Sequence, residues 1–187
     1  KGFCSGLDLT DVGLPPNIEG LPVSRIAIRA MHFMADIIPT MRNLPQPIIA
    51  AVHGAAWGGG FCLTLGADIR LAARSARFCG AGIVNGLTGT ELGASYLLPR
   101  LVGASRANEI ILSGREVDAV EADRIGLVSR VVDDEKLLDE AYELAEKLCE
   151  YSPHGVSMTK RLLWSSWETG SLAAAIDHEN RNQLLVR

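Results

Sequence analysis

The chain is 187 residues long, 48% hydrophobic and 21% charged, with a formal net charge of −4. This composition supports one substantial buried core and excludes a disordered chain or a basic nucleic-acid-binding surface. Apolar runs such as residues 48–52 are far too short to cross a bilayer, and Cys4, Cys62, Cys79 and Cys149 form no C-x-x-C pair. No metal site, disulfide scaffold, signal segment or membrane span is therefore expected, and the four thiols are read as reduced in a cytoplasmic protein.

In chain order, Ile26, Ala30, Phe33, Met34, Ile37 and Met41 keep a helical spacing that predicts one amphipathic helix over 23–42. Pro45 and Pro47 end it, and 48–52 is a buried strand. A helix over 58–66, a buried strand over 69–73 and a short strand over 77–79 follow. Residues 90–98 read as a helix closed by Pro99, and 105–112 as another with Ser105 as a possible cap. Residues 117–125 predict a short helix stopped by Gly126, and 127–132 a strand. Asp133 or Asp134 then caps a long helix reaching Tyr151, with Leu137, Ala141, Leu144 and Leu148 on its apolar stripe. Two more helices fall near 156–167 and 172–185. Repeated β–β–α units followed by helices predict one α/β domain, with a core over 1–132 and a helical region over 133–187.

Two segments carry chemistry. Ala50-Ala51-Val52-His53-Gly54 ends a strand, and Gly58-Gly59-Gly60-Phe61-Cys62 opens a helix shortly after. Strand, glycine turn and helix leave backbone N–H groups unpaired at a helix start, where an oxygen gaining negative charge is a natural guest. The plainer alternative is a tight turn that needs positive φ. The second segment is Phe3-Cys4-Ser5-Gly6-Leu7-Asp8-Leu9. Gly6 lets the backbone approach a ligand, and Asp8 can cap a turn.

Together the two segments resemble the crotonase (enoyl-CoA hydratase/isomerase) superfamily, whose pattern is roughly F-x-x-G-x-D-[LI] and, further on, G-x-x-x-G-G-G. The resemblance continues through Ala67-Asp68-Ile69-Arg70, Arg77-Phe78, Gly86-Leu87, Leu98-Pro99-Arg100-Leu101-Val102-Gly103 and Gly126-Leu127-Val128, nearly the whole chain. It implies the crotonase (ClpP/crotonase-like) α/β fold with a C-terminal helical region, and a homotrimer or dimer of trimers. It implies an acyl-CoA thioester as partner, with coenzyme A as part of the substrate and no cofactor. Strand-rich sequence normally precedes the first motif in this family and a helical tail follows the last helix. The starting Lys1, the motif at residue 3 and the ending at 184–187 are accordingly expected to be cuts in a longer chain.

A thioester that loses an α-proton or gains a β-nucleophile places charge on its carbonyl oxygen, and two convergent N–H donors stabilise it. By the resemblance these are the amides of Leu7 and Gly59, and Phe3, Ser5, Leu7, Asp8, Leu9 and Gly58 line the CoA side of the site. Leu7 is bulkier than the family's usual residue and is expected to narrow the acyl site. The family's hydratases carry one glutamate two positions after the glycine triplet, here Cys62, and a second four residues after the Phe matching Phe78, here Gly82. Water addition needs one group to activate water and another to deliver a proton. Neither residue can replace a carboxylate, so an isomerase is favoured over a hydratase.

Glu91 is the replacement acid: in several isomerases of the family an acid from this region reaches the acyl carbons. A first-turn acid favoured by the helix dipole is the competing reading. A non-catalytic acyl-CoA-binding protein, or a hydratase with displaced acids, remains the alternative function. His53 is read as structural, His32 as partly buried, and His178 with Glu179 and Arg181 as a solvated or subunit-contact face. Asp68 is read as holding the turn around the glycine helix, and Trp164 and Trp167 as core or interface anchors. Arg100, Lys160 and Arg161 are candidates for CoA phosphates against an ordinary solvated role.

Overall fold

The computed structural model describes residues 2–11 and 13–185. Lys1 and residues 186–187 lie outside them, so the expectations for the two ends of the chain fall partly beyond the described residues.

Strands β1 (Ile49–Val52) and β2 (Ala55–Trp57) are consecutive but enter different sheets, and helix α3 (Gly59–Gly66) follows. Strands β3 (Ile69–Ala73) and β4 (Arg77–Cys79) repeat the pattern. One sheet has the order β1-β3-β6, all parallel, with β6 at Arg130–Val132. The other has the order β2-β4-β5, with β5 (Val117–Asp118) antiparallel to β4. The fold is thus mixed α/β, built on the repeated β–β–α unit.

The core lies between these sheets and the glycine helix. Val52, Ala56, Phe61, Leu65, Phe78, Leu98 and Ile110 are fully buried, and Phe61 meets Phe78 edge to face at 6.4 Å. Helix α3 is apolar apart from Thr64, whose hydroxyl donates to the Phe61 carbonyl (2.7 Å), and most of its residues are buried. At its C-terminal end the buried Arg70 guanidinium donates to the carbonyls of Ala67 (2.6 Å) and Thr64 (3.3 Å). A cation there complements the helix dipole, whose positive end faces the glycine turn.

Several predicted boundaries are corrected. The helix over 23–42 is two, α1 (Val23–Ala35) and α2 (Ile37–Asn43), broken at Asp36. Strand β2 sits inside what reads as a glycine turn; pairing with β4 and with Cys4, rather than its own three residues, makes it a strand. Helix α4 (Ala94–Val102) starts after Gly93 at φ 84°, later than residue 90, and carries Pro99 inside it. The proline removes a hydrogen bond to Ser95, which is exposed and can be solvated instead. Helix α5 (Ala104–Ser113) is preceded by Gly103, not capped by Ser105. The short helix near 117–125 is β5 followed by α6 (Ala119–Arg124), capped by the Asp118 carboxylate accepting from Glu121 N–H at 2.8 Å. The strand at 127–132 shortens to β6, and a 3-10 turn (Asp134–Lys136) separates Asp133 from α7 (Leu137–Cys149), so neither aspartate caps it. Beyond lie α8 (Pro153–Ser166) and α9 (Leu172–Leu185).

Candidate active site

The first segment lies along β2 as an extra strand-like edge. Phe3 N–H donates to the His53 carbonyl (2.8 Å), Cys4 N–H to that of Ala55 (3.0 Å), and Trp57 N–H returns to that of Cys4 (2.9 Å). This pairing carries Gly6 across the start of α3. A side chain at Gly6, whose φ is 89°, would lie 2.9 Å from the Trp57 carbonyl oxygen and 3.6 Å from the Gly59 nitrogen. The two segments meet at that glycine, so the amides of Leu7 and Gly59 belong to one small region.

The three glycines of the triplet have different work. Gly58 takes φ 52° and its N–H donates to the Cys79 carbonyl (2.9 Å), so its amide is committed to β4. Gly59 opens α3, and among the described residues neither its N–H nor that of Leu7 has a hydrogen-bond acceptor. Gly60 is the packing glycine: a Cβ there would overlap the Cys4 carbonyl.

Glu91 stands beside this turn. Its Oε1 lies 3.6 Å from where a Gly58 side chain would begin. It precedes α4, whose first turn holds no acid, so the helix-dipole reading of this residue does not apply. Its carbonyl accepts from Ala94 N–H (2.8 Å) and from the Cys62 thiol (3.5 Å). The next residue, Leu92, takes φ 45°, a strained value for a leucine, and places its side chain 3.6 Å from the Gly59 position. Half-burial pushes the Glu91 carboxyl above its ordinary range. Burial, with the Glu91 charge second, pushes the Cys62 thiol up to about 12 and makes it a poor nucleophile.

Position 82 is closed to any side chain. A Cβ on Gly82 would overlap the Thr88 carbonyl, and the Gly82 carbonyl itself accepts from Leu87 N–H (2.9 Å). The loop from Gly80 to Gly93 has folded onto the space a longer residue would need.

The other candidates divide. Phe3 packs against the core, while Ser5, Leu7, Asp8 and Leu9 are exposed. Asp8 makes a turn with Thr10, accepting from its hydroxyl (2.7 Å) and amide (2.9 Å), which holds its carboxyl below the usual value. The His53 side chain is exposed, and so is that of His32, contrary to the expectation of partial burial. Arg181 pairs with Asp177 (2.8 Å). Lys160 is no phosphate ligand: it is buried, paired with Asp68 at 2.9 Å, and donates to the carbonyls of Met41 and Gln46. Asp68 also accepts from Trp164 Nε1 (2.6 Å) and Ile48 N–H (2.7 Å). Sequence reasoning missed the Cys62 contact to Glu91 and the Leu92 bend, because both depend on how the loop before α4 folds back onto α3.

A two-sheet β–β–α scaffold holding a glycine turn against a second backbone segment defines a crotonase-type chain. It belongs to the enoyl-CoA hydratase/isomerase family, whose model matches residues 1–185. It is 52% identical over 187 residues to "Probable enoyl-CoA hydratase EchA12" of Mycobacterium tuberculosis, covering 100% of this chain and 66% of that relative. The chain thus spans somewhat under two thirds of that protein's length. A probable enoyl-CoA hydratase/isomerase structure from Mycobacterium abscessus superposes with TM-score 0.94 at 50% identity, over 100% of this chain and 69% of the other. A monofunctional enoyl CoA isomerase structure from M. smegmatis is 52% identical, with TM-score 0.71 over 76% of this chain and 67% of the other.

Proposed function

We propose that this chain forms the catalytic part of an enoyl-CoA isomerase. In this reading the amides of Leu7 and Gly59 hold the thioester oxygen, and the Glu91 carboxylate takes a proton from the α-carbon of a 3-enoyl thioester. The electron pair moves onto the carbonyl oxygen as a dienolate, and Glu91 returns the proton at the γ-carbon. Substrate and product have the same atoms, so one acid suffices. No metal or redox cofactor takes part, and coenzyme A enters with the substrate. The cytoplasmic homotrimer or dimer of trimers expected of the family is the setting.

The observation that carries the reading is the Glu91 carboxylate 3.6 Å from where a Gly58 side chain would begin, with Cys62 and a sterically closed Gly82 at the two other acid positions. The 52% identity to a protein described as a monofunctional enoyl CoA isomerase supports it. The EchA12 relative, named a hydratase, favours a second reading in which displaced groups activate water. Assays with 2-enoyl-, 3-enoyl- and dienoyl-CoA on wild type and Glu91→Gln separate the two. Isomerisation lost in the variant supports the isomerase; efficient hydration by the wild type overturns it. Acyl-CoA binding with no turnover and no effect of the substitution identifies a non-catalytic binder.

A further inference from the structure

The start of α3 meets the bend before α4 at three points. Glu91 Oε1 lies 3.6 Å from where a Gly58 side chain would begin, and the Leu92 side chain lies 3.6 Å from the corresponding position on Gly59. One turn further along, the Cys62 thiol donates to the Glu91 carbonyl at 3.5 Å. Cys62 N–H also donates to the Gly58 carbonyl (3.1 Å), and a spacing of four puts the two residues on one face of the helix. That face therefore touches Glu91 twice, once at its carboxylate and once at its backbone.

The backbone contact falls on a conformation that needs support. Leu92 takes φ 45° and Gly93 φ 84°. A left-handed leucine is sparsely populated and persists where its surroundings fix it. Here the carbonyl before Leu92 accepts from both Ala94 N–H (2.8 Å) and the Cys62 thiol, while the Leu92 side chain packs against the core. These contacts pin the Glu91 Cα, which carries the carboxylate. Cys62 is 1% exposed, and burial pushes its thiol up to about 12, so the donating proton stays on sulfur.

We infer that Cys62 is a positioning residue, whose thiol holds the Glu91–Leu92 bend so that the Glu91 carboxylate stays beside the glycine turn. The inference rests on the isomerase reading given above. At the position where the family's hydratases carry a glutamate, this chain supports the acid of the facing loop instead.

Turnover of 3-hexenoyl-CoA by wild type, Cys62→Ala, Cys62→Val, Cys62→Ser, Glu91→Gln and the Cys62→Ala, Glu91→Gln double variant tests it. Cys62→Ala is expected to lower kcat about tenfold and to change KM less than about twofold, because a misplaced base slows the chemical step while the thioester contacts remain. Cys62→Val fills about the same space without a donor and should behave as Cys62→Ala does. Cys62→Ser keeps a donor and should recover most of the lost rate. In Glu91→Gln, which has no base to misplace, the alanine substitution should change the residual kcat by less than about twofold.

A wild-type kcat in Cys62→Ala or Cys62→Val overturns the inference, as does a serine variant no better than alanine. Equal fold-losses with and without Glu91 also overturn it, because packing alone would act in both backgrounds. Each of these results leaves the isomerase reading standing if Glu91→Gln still abolishes turnover. No turnover by the wild type, or turnover untouched by Glu91→Gln, removes that reading and this inference with it.

Discussion

In the proposed isomerase, two properties of Glu91 set its chemistry: a place beside the glycine turn and a carboxyl raised by half-burial. A base must be ionised to accept a proton, so isomerisation should fall as pH drops through the raised value. The acidic limb of kcat/KM is therefore expected above the ordinary glutamate value of 4.5. Glu91→Gln should abolish that limb and lower kcat by about 100-fold or more. The stability linkage has the opposite sense. A folded-state value above the unfolded one gives a contribution present below the unfolded pKa and lost as pH rises through the folded one. Urea midpoints for wild type should thus decline across that window relative to Glu91→Gln. The cysteines offer a separate check. Cys149 is exposed and Cys62 is buried with its thiol raised to about 12, so an aromatic disulfide reagent at pH 8 should label Cys149 and spare Cys62. The approach of the Phe3–Leu9 segment to the glycine triplet was legible through the family resemblance, because each segment is a short contiguous motif. The Leu92 bend was not, because a left-handed φ of 45° at a leucine leaves no mark in the residue types around it.

At the scale of elements, the glycine helix and the Phe3–Leu7 edge are joined through bare backbone. Gly60 has no room for a side chain against Cys4, whereas a Cβ at Gly59 would meet only the Leu92 side chain at an ordinary 3.6 Å. Gly60→Ala should therefore cost about 1–3 kcal/mol of stability by overpacking. Gly59→Ala should cost much less in the same denaturation experiment. Equal costs would mean that the edge segment moves freely on α3. The periodic helices and buried strands were readable because burial imposes their spacing. Their ends were not: Gly93 and the strained Leu92 set where α4 begins, and Pro99 lies inside α4 although a proline at 99 read as its end. Strand β2 was hidden for the same reason. Three residues between Gly54 and Gly58 become a strand only through partners on either side.

At the scale of the whole molecule, helix α8 is tied to the α/β core through a buried ion pair. Lys160 and Asp68 are separated by about half of the chain, and no local pattern in the sequence distinguishes Lys160 from a solvated helix lysine. The fold brings them to 2.9 Å, with side-chain exposures of 3% and 15%. Lys160 also holds the carbonyls of Met41 and Gln46, where α2 hands over to β1, and Asp68 holds Trp164 on the same helix α8. Removing one member strands a buried charge, so Lys160→Met should cost about 3–5 kcal/mol. Adding Asp68→Asn removes that stranded carboxylate, and the double variant should lose clearly less than the sum of the two single losses. Additive losses in the denaturation cycle would mean that Asp68 and Lys160 act independently, each through its own hydrogen bonds to Trp164 or to the Met41 and Gln46 carbonyls.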